Sequence, residues 1–210
     1  LDFAKPVTTG EPLPKPLAVL GIVLNSLSAN ALCLVDVAAY LQGLRQLLAW
    51  CDAQQVQCRI RCRPNGSVMQ MLIDSLGLRA DDLLPHQEGS MLDHARGCDL
   101  VLSYDIPTSG AFDLLEAGIP VLQTLCRRLE PEEARMANAT VVPQLPVAEV
   151  IGRLQAYAAD PLALWQFRRE QTAQYLRAHA DALPLRAWLT AERPRHVRRW
   201  GPPNGPVFGG

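Results

Sequence analysis

The chain has 210 residues, of which 49% are hydrophobic, 20% charged and 6% aromatic, so it is too apolar for intrinsic disorder and too evenly mixed for a fibre. At roughly 150 residues per domain this is one large domain or two small ones. Twenty Lys+Arg against 21 Asp+Glu leave a formal charge of -1, which excludes a global basic field for holding nucleic acid or an anionic membrane; any bound phosphate must be met locally.

The residues from Lys5-Pro6 to Lys15-Pro16 carry four prolines and Gly10 with no apolar period, and read as a linker or arm over 1–16. LAVLGIVL, from Leu17 to Leu24, is the unbroken apolar run of a strand buried on both faces, followed by the small polar loop Asn25 to Asn30. Asp36 to Gln54 places Val37, Tyr40, Leu41, Leu44, Leu47, Leu48 and Cys51 at helical spacing behind Asp36. Val56 to Cys62 alternates apolar residues against Gln57, Arg59 and Arg61, which is a strand, and Arg63-Pro64-Asn65-Gly66 stops it. Ser67 is expected to cap a helix running to Gly77.

Further on, the sequence predicts a weak strand at Leu83-Leu84, a short helix from Ser90 to Arg96 with His94 on its surface, and a strand from Asp99 to Tyr104. A helix from Thr108 to Ala117 ends at Gly118, and Ile119 to Thr124 forms the next strand. A helix over Glu130 to Asn138, a short strand over Thr140 to Val142, and helices over Val147 to Ala159 and Pro161 to His179 complete the body. The proline-rich, basic residues 183–210 read as a tail. Strands alternating with helices predict an α/β domain over 17–182: a doubly wound parallel sheet with helices on both faces.

The six cysteines lie mostly inside apolar segments and read as reduced core thiols; Cys58 and Cys62 lack a matching His or Cys pair at zinc-ligand spacing. No apolar run reaches the ~18–20 residues that cross a bilayer, and no leader opens the chain, so a cytoplasmic protein is expected. Leu1 in place of Met points to a piece of a longer protein or a processed or engineered chain.

In an open parallel sheet, ligands bind outside the carboxyl ends of the strands. The loops there are Asn25 to Asn30, Arg63 to Ser67, His86 to Ser90, Asp105 to Gly110 and Gln123 to Arg128. Asp105-Ile106-Pro107-Thr108-Ser109-Gly110 opens a helix whose unpaired amides suit a phosphate, with the Thr108 and Ser109 hydroxyls as further donors. The plainer reading is that one of these two residues caps the helix. Asp113 and Glu116, three apart on that helix, share a face.

The string from Cys98-Asp99-Leu100-Val101-Leu102-Ser103-Tyr104-Asp105 through Thr108-Ser109-Gly110-Ala111-Phe112-Asp113 to Glu116-Ala117-Gly118-Ile119-Pro120-Val121 resembles the donor-binding half of GT-B glycosyltransferases. In that pattern a strand ends in a small-residue loop, a helix opens on Ser or Thr and carries an acid, and Gly-x-Pro leads into the next strand. The likeness is closest to bacterial surface-polysaccharide and polyol-phosphate transferases, with a weaker one to the UDP-N-acetylglucosamine epimerases. It spans 17–179 and is carried chiefly by 98–124. Arg61-Cys62-Arg63-Pro64 stands where those transferases often have a basic residue before His-Pro; Arg63 in place of His keeps a phosphate-pairing cation and removes a neutral imidazole.

The resemblance implies a Rossmann-like half of a GT-B enzyme that binds a UDP-, GDP- or CMP-linked sugar without metal or other cofactor. Arg63, Thr108, Ser109 and Gly110 would hold phosphate, and Asp113 or Glu116 the ribose hydroxyls. The sugar would pass to a glycan or lipid-linked acceptor, with an N-terminal half or a partner chain supplying the rest of the site. An epimerase of the same fold and a non-catalytic GT-B-like binding module are the alternatives. His86, the Arg127-Arg128 pair and the charges of Arg168-Arg169-Glu170 and Arg177 read as surface features.

Overall fold

The computed structural model describes residues 14–24, 36–62, 66–79, 89–105, 110–126 and 141–180. Eleven elements follow in chain order: β1 (Val19–Leu24), α1 (Val37–Gln54), β2 (Gln57–Cys62), α2 (Gly66–Leu76), α3 (Met91–Ala95), β3 (Leu100–Tyr104), α4 (Gly110–Glu116), β4 (Val121–Leu125), β5 (Gln144–Pro146), α5 (Val147–Ala159) and α6 (Pro161–Ala180). The five strands form one sheet in the order β2-β1-β3-β4-β5, and every pairing is parallel. This is the expected doubly wound α/β sheet of Rossmann-like type.

The apolar runs end up where two-sided burial requires. All five residues of β3 and of β4 are buried. One face carries Leu20, Ile22, Leu24, Leu100, Leu102, Tyr104 and Leu122 against Tyr40, Leu44 and Leu47 of α1, Leu72 of α2 and Val150 and Leu154 of α5. The other carries Val23, Val101 and Val121 against Ala95, Ala111, Leu114, Leu115 and Tyr175. The α6 helix serves both faces, with Leu164 in the first cluster and Tyr175 in the second. Asp36 caps α1 by accepting from the Ala39 N–H at 3.1 Å, and Gly77 leaves α2 at φ +66, where a Cβ would be strained.

Several expectations need correction. His94 is buried, at 6% exposure, because the five-residue α3 lies flat on β1 at Gly21: its Nε2 stands 3.5 Å from where a Gly21 Cβ would be. The last strand is Gln144–Pro146, not Thr140 to Val142; Val141 and Val142 precede it as bends. Register decides this, since Leu145 is the residue that pairs with Thr124 and enters the core. The helix after β2 starts at Gly66, so Ser67 falls inside its first turn. Strand β4 begins at Val121, two residues later than the apolar pattern suggests, because Pro120 offers the ladder only its carbonyl, which accepts from the Val101 N–H at 3.0 Å. Arg168 is no member of a charge pair on the helix surface: its Nε donates to the Gly118 carbonyl at 2.8 Å. The expected strand at Leu83-Leu84, the helix over Glu130 to Asn138, His86, Arg127-Arg128 and the terminal segments 1–13 and 181–210 lie outside the described residues.

Two buried polar side chains hold the frame together. The Asp99 carboxylate accepts from the Ala18 and Val19 N–H groups at 2.9 Å each and pairs with Lys15 at 2.5 Å, tying the entry to β1 onto the start of β3. Burial pushes the Asp99 carboxyl upward, but Lys15 and the two backbone donors outweigh it and hold it below the usual carboxylate range. Gln171 of α6 exchanges two hydrogen bonds with the Val121 backbone, at 2.8 and 2.6 Å, and donates to the Val141 carbonyl at 2.8 Å.

Candidate functional site

In the order β2-β1-β3-β4-β5 the chain moves outward in one direction from β1 to β2 and in the other from β3 to β5. Connections therefore diverge at the carboxyl ends of β1 and β3 and open a crevice there. Four described strand ends converge on this edge: Leu24, Cys62, Tyr104 with Asp105, and Leu125 with Cys126.

Asp105 turns the chain out of β3. Its φ of 63° lies in the left-handed region, which aspartate tolerates better than most residues. Three hydrogen bonds fix the bend. The Asp105 N–H donates to the Thr124 carbonyl at 2.7 Å, its carbonyl accepts from Gln123 Nε2 at 3.2 Å, and its Oδ1 accepts from the Cys126 N–H at 3.1 Å. The side chain thus extends the β3–β4 ladder by one step beyond the last paired residues, Tyr104 and Thr124.

Beside this bend the first turn of α1 packs on the end of β3. Tyr40 and Tyr104 meet edge to face with ring centroids 4.8 Å apart, and the Tyr104 hydroxyl donates to the Tyr40 carbonyl at 2.7 Å. Gly43 lies over this contact. A Cβ there would stand 2.6 Å from Tyr104 Oη and 2.9 Å from Val147 Cγ2, so only glycine lets α1 settle onto Tyr104 and the start of α5. An open cavity of about 240 Å3 lies alongside, lined by Gln42, Gly43, Gln46, Cys126, Pro146 and Val147 among others. The phenols and the thiol of this edge keep their protons near neutrality. Burial pushes the Cys126 thiol up to about 12; the adjacent Tyr104 hydroxyl lowers it and the nearby Asp105 carboxylate adds to the rise. Burial, reinforced by the negative groups around it, carries the Tyr40 and Tyr104 hydroxyls well above their ordinary range.

Of the residues singled out from sequence, Gly110, Asp113 and Glu116 are described, whereas Arg63, Thr108 and Ser109 lie outside the described residues. Gly110 is the buried first residue of α4. Asp113 is exposed in the first turn. Glu116 is the last residue of the helix, about 9 Å along the axis from Gly110 at 1.5 Å per residue, and accepts from the Tyr175 hydroxyl at 2.9 Å. Burial, then the Glu116 bond and charge, then Asp113, push the Tyr175 hydroxyl up to about 12. The structure brings Asp113, Glu116 and Tyr175 together, with Asp113 nearer the crevice and Glu116 joined to α6.

Sequence reading did not single out Tyr40, Tyr104 or Cys126. Each sits at a position that fits an apolar pattern, and the available signal was that both tyrosines fall at the crevice end of their elements, the first turn of α1 and the last residue of β3. Among the described residues no group of three or more His, Cys, Asp or Glu side chains is placed to hold a metal ion, and no helix is long and apolar enough to cross a membrane. The five described cysteines are free thiols. No protein-family model matches the chain, and no curated protein sequence matches it.

Proposed function

We propose that this chain is the donor-binding half of a glycosyltransferase of GT-B type, holding a nucleotide sugar in the β1/β3 crevice for transfer to a glycan or lipid-linked acceptor. The observation that carries the reading is the reversal of strand order between β1 and β3, together with the left-handed bend at Asp105 that leads from β3 towards α4. In this reading Arg63, Thr108, Ser109 and Gly110 hold the diphosphate, and Asp113 accepts from ribose hydroxyls. Glu116 already accepts from Tyr175, which leaves Asp113 the better placed of the two acids. The phenols Tyr40 and Tyr104 and the Cys126 thiol at the crevice are held protonated near neutral pH, so any general base on this side would have to be one of the carboxylates and not these groups.

A thermal-shift and calorimetry screen against UDP, GDP, CDP, CMP and dTDP tests the reading. A nucleotide that binds only the native state raises stability by about 2.7 kcal/mol at a hundredfold excess over its Kd, or about 5–10 °C for a domain of this size. Ser109→Trp and Asp113→Asn should each weaken that ligand at least tenfold with the melting temperature of the free protein retained. Absence of any shift at millimolar nucleotide refutes the proposal. Donor binding without transfer, in a protein that includes the acceptor half, selects the binding module, and conversion of the nucleotide sugar itself selects the epimerase.

A further inference from the structure

Two buried hydroxyls at the crevice, Tyr40 Oη and Thr124 Oγ1, have no hydrogen-bond partner among the described residues, and Tyr40 carries the larger side chain. Tyr40 is 2% exposed, and its Oη makes no hydrogen bond to any described residue. A buried hydroxyl without a partner is costly, and native proteins seldom keep one where phenylalanine would pack as well. Its direction follows from the fold. Tyr40 lies four residues after the Asp36 cap, α1 starts at the carboxyl edge of the sheet, and helical side chains lean toward their own N-terminus. Tyr40 packs edge to face against Tyr104, the last residue of β3. The titratable groups close enough to bear on its hydroxyl are Cys126, Asp105 and Cys62, one each at the ends of β4, β3 and β2, and of these only Asp105 is a carboxylate.

We infer that Tyr40 is a ligand-recognition residue, and that its hydroxyl together with the Asp105 carboxylate receives a hydroxyl-bearing ring, a ribose or the transferred sugar, and not a phosphate. The chemistry of the surroundings selects the partner. Asp105 stands close to this hydroxyl, and Asp36, which caps the helix that carries Tyr40, bears on the neighbouring Cys126, so a phosphate oxygen placed here would meet a carboxylate field. A sugar hydroxyl donates to a carboxylate and accepts from a phenol, and so satisfies both. The inference rests on the crevice being the ligand site.

Tyr40→Phe removes one oxygen and leaves the ring. Titration of wild type and variant with inorganic pyrophosphate, nucleoside diphosphates, nucleotide sugars, and phosphate-free nucleosides and sugars separates the possibilities. The expected result is a loss of about fivefold or more in affinity for at least one hydroxyl-bearing ligand, the worth of one hydrogen bond, with pyrophosphate affinity unchanged and the melting temperature of the free protein equal or higher. Equal affinities of wild type and variant for every hydroxyl-bearing ligand overturn the role of Tyr40 and leave the nucleotide-sugar reading standing. So does a parallel loss for pyrophosphate, or a fall of several degrees in the free variant, which would mark a structural hydroxyl. If the wild type binds only phosphate-free ligands and the variant loses them, the role of Tyr40 stands and the nucleotide-sugar reading falls. If the wild type binds none of the panel, both fall.

Discussion

Gln171→Met preserves the length and much of the volume of the side chain while removing all three of its hydrogen bonds. On the β3 side of β4, the Pro120 and Thr124 carbonyls accept from Val101 and Asp105; on the β5 side, the Gln123 N–H donates to the Pro143 carbonyl. Val121, two residues before Gln123, therefore turns its N–H and carbonyl toward the β5 side, where β5 has not yet begun, since it starts at Gln144. The Gln171 amide takes the place of the missing strand, accepting from the Val121 N–H at 2.8 Å and donating to its carbonyl at 2.6 Å. Val121 is 0% exposed, so in the variant both groups lose their partner with no access to water, while the carbonyl of half-buried Val141 can turn to solvent.

Each orphaned buried group costs about 1–3 kcal/mol. Because carbonyls tolerate this better than N–H groups, the two together come to about 3 kcal/mol, a large share of the roughly 5–15 kcal/mol of a typical domain. The melting temperature should fall by about 6–12 °C, with a matching drop in urea midpoint at unchanged m-value and loss of exchange protection at the Val121 amide. Gln171→Glu supplies the sign test. It keeps an acceptor for the Val121 N–H but turns a second anionic oxygen on two carbonyls, so it should be at least as unstable at neutral pH and recover in acid as the carboxyl regains a proton. A Gln171→Met protein within 1 kcal/mol of wild type refutes the account.

Other perturbations follow from the same frame. Asp99→Ala strips the acceptor from the Ala18 and Val19 N–H groups and should cost about 2–4 kcal/mol in chemical denaturation; a cost under 0.5 kcal/mol would show the tie to be idle. Because the folded Asp99 carboxyl is held below its ordinary range, its contribution is present above the unfolded carboxylate pKa of about 3.9 and is lost as pH falls through the folded value. A melting curve series should show wild-type stability dropping below about pH 4 more steeply than that of Asp99→Asn. Gly43→Ala gains helix propensity of about 1 kcal/mol but drives a methyl into Tyr104 Oη and Val147 Cγ2, and Tyr104 is held by its bond to the Tyr40 carbonyl. Overpacking of this kind costs about 1–3 kcal/mol, so calorimetry should find a lower melting temperature, and a rise would show that α1 shifts freely.

The sheet was readable because its strands announce themselves by composition. LAVLGIVL and DLVLSY are apolar without interruption, a pattern that only two-sided burial explains, and the helical period of α1 is unbroken from Tyr40 to Cys51. The features that escaped depend on what lies across the sheet and not along the chain. His94 is interior because Gly21 leaves room beneath it, and no pattern within a five-residue helix can say so. Gln171 sits in a helix of mixed character, and its role exists only because β5 is three residues long. Thr140 to Val142 has the β-branched composition of a strand, yet the polar Gln144 and Pro146 flank the residue that pairs, Leu145. At the crevice the sequence marks the Asp105 to Gly110 loop and Asp113, but a tyrosine at an apolar position looks like core until the strand ends beside it are known.

The charge at the crevice sharpens what a ligand there must bring. Asp36 caps α1, Asp105 bends the chain out of β3, and Asp113 lies exposed in the first turn of α4, so carboxylates mark this part of the edge, while Arg61 stands one residue before the end of β2. A diphosphate entering this field needs a cation close by; Arg61 of β2 already donates to the Gly89 carbonyl, and in the proposed reading Arg63, the residue after β2 in sequence, supplies it. Replacing Arg63 by Gln should therefore weaken a nucleoside diphosphate far more than a nucleoside, and the difference should shrink as salt rises, because a charge pair at an exposed edge is screened within about 8–10 Å. Hydroxyl-bearing parts of the ligand face the opposite requirement, since carboxylates are good acceptors for them and need no countercharge. In the proposed reading, a cation following β2 and carboxylates beside β3 would separate these two demands and orient a nucleotide sugar by charge. Equal losses for nucleoside and nucleotide in the Arg63 variant would remove that polarity and with it the argument for orientation.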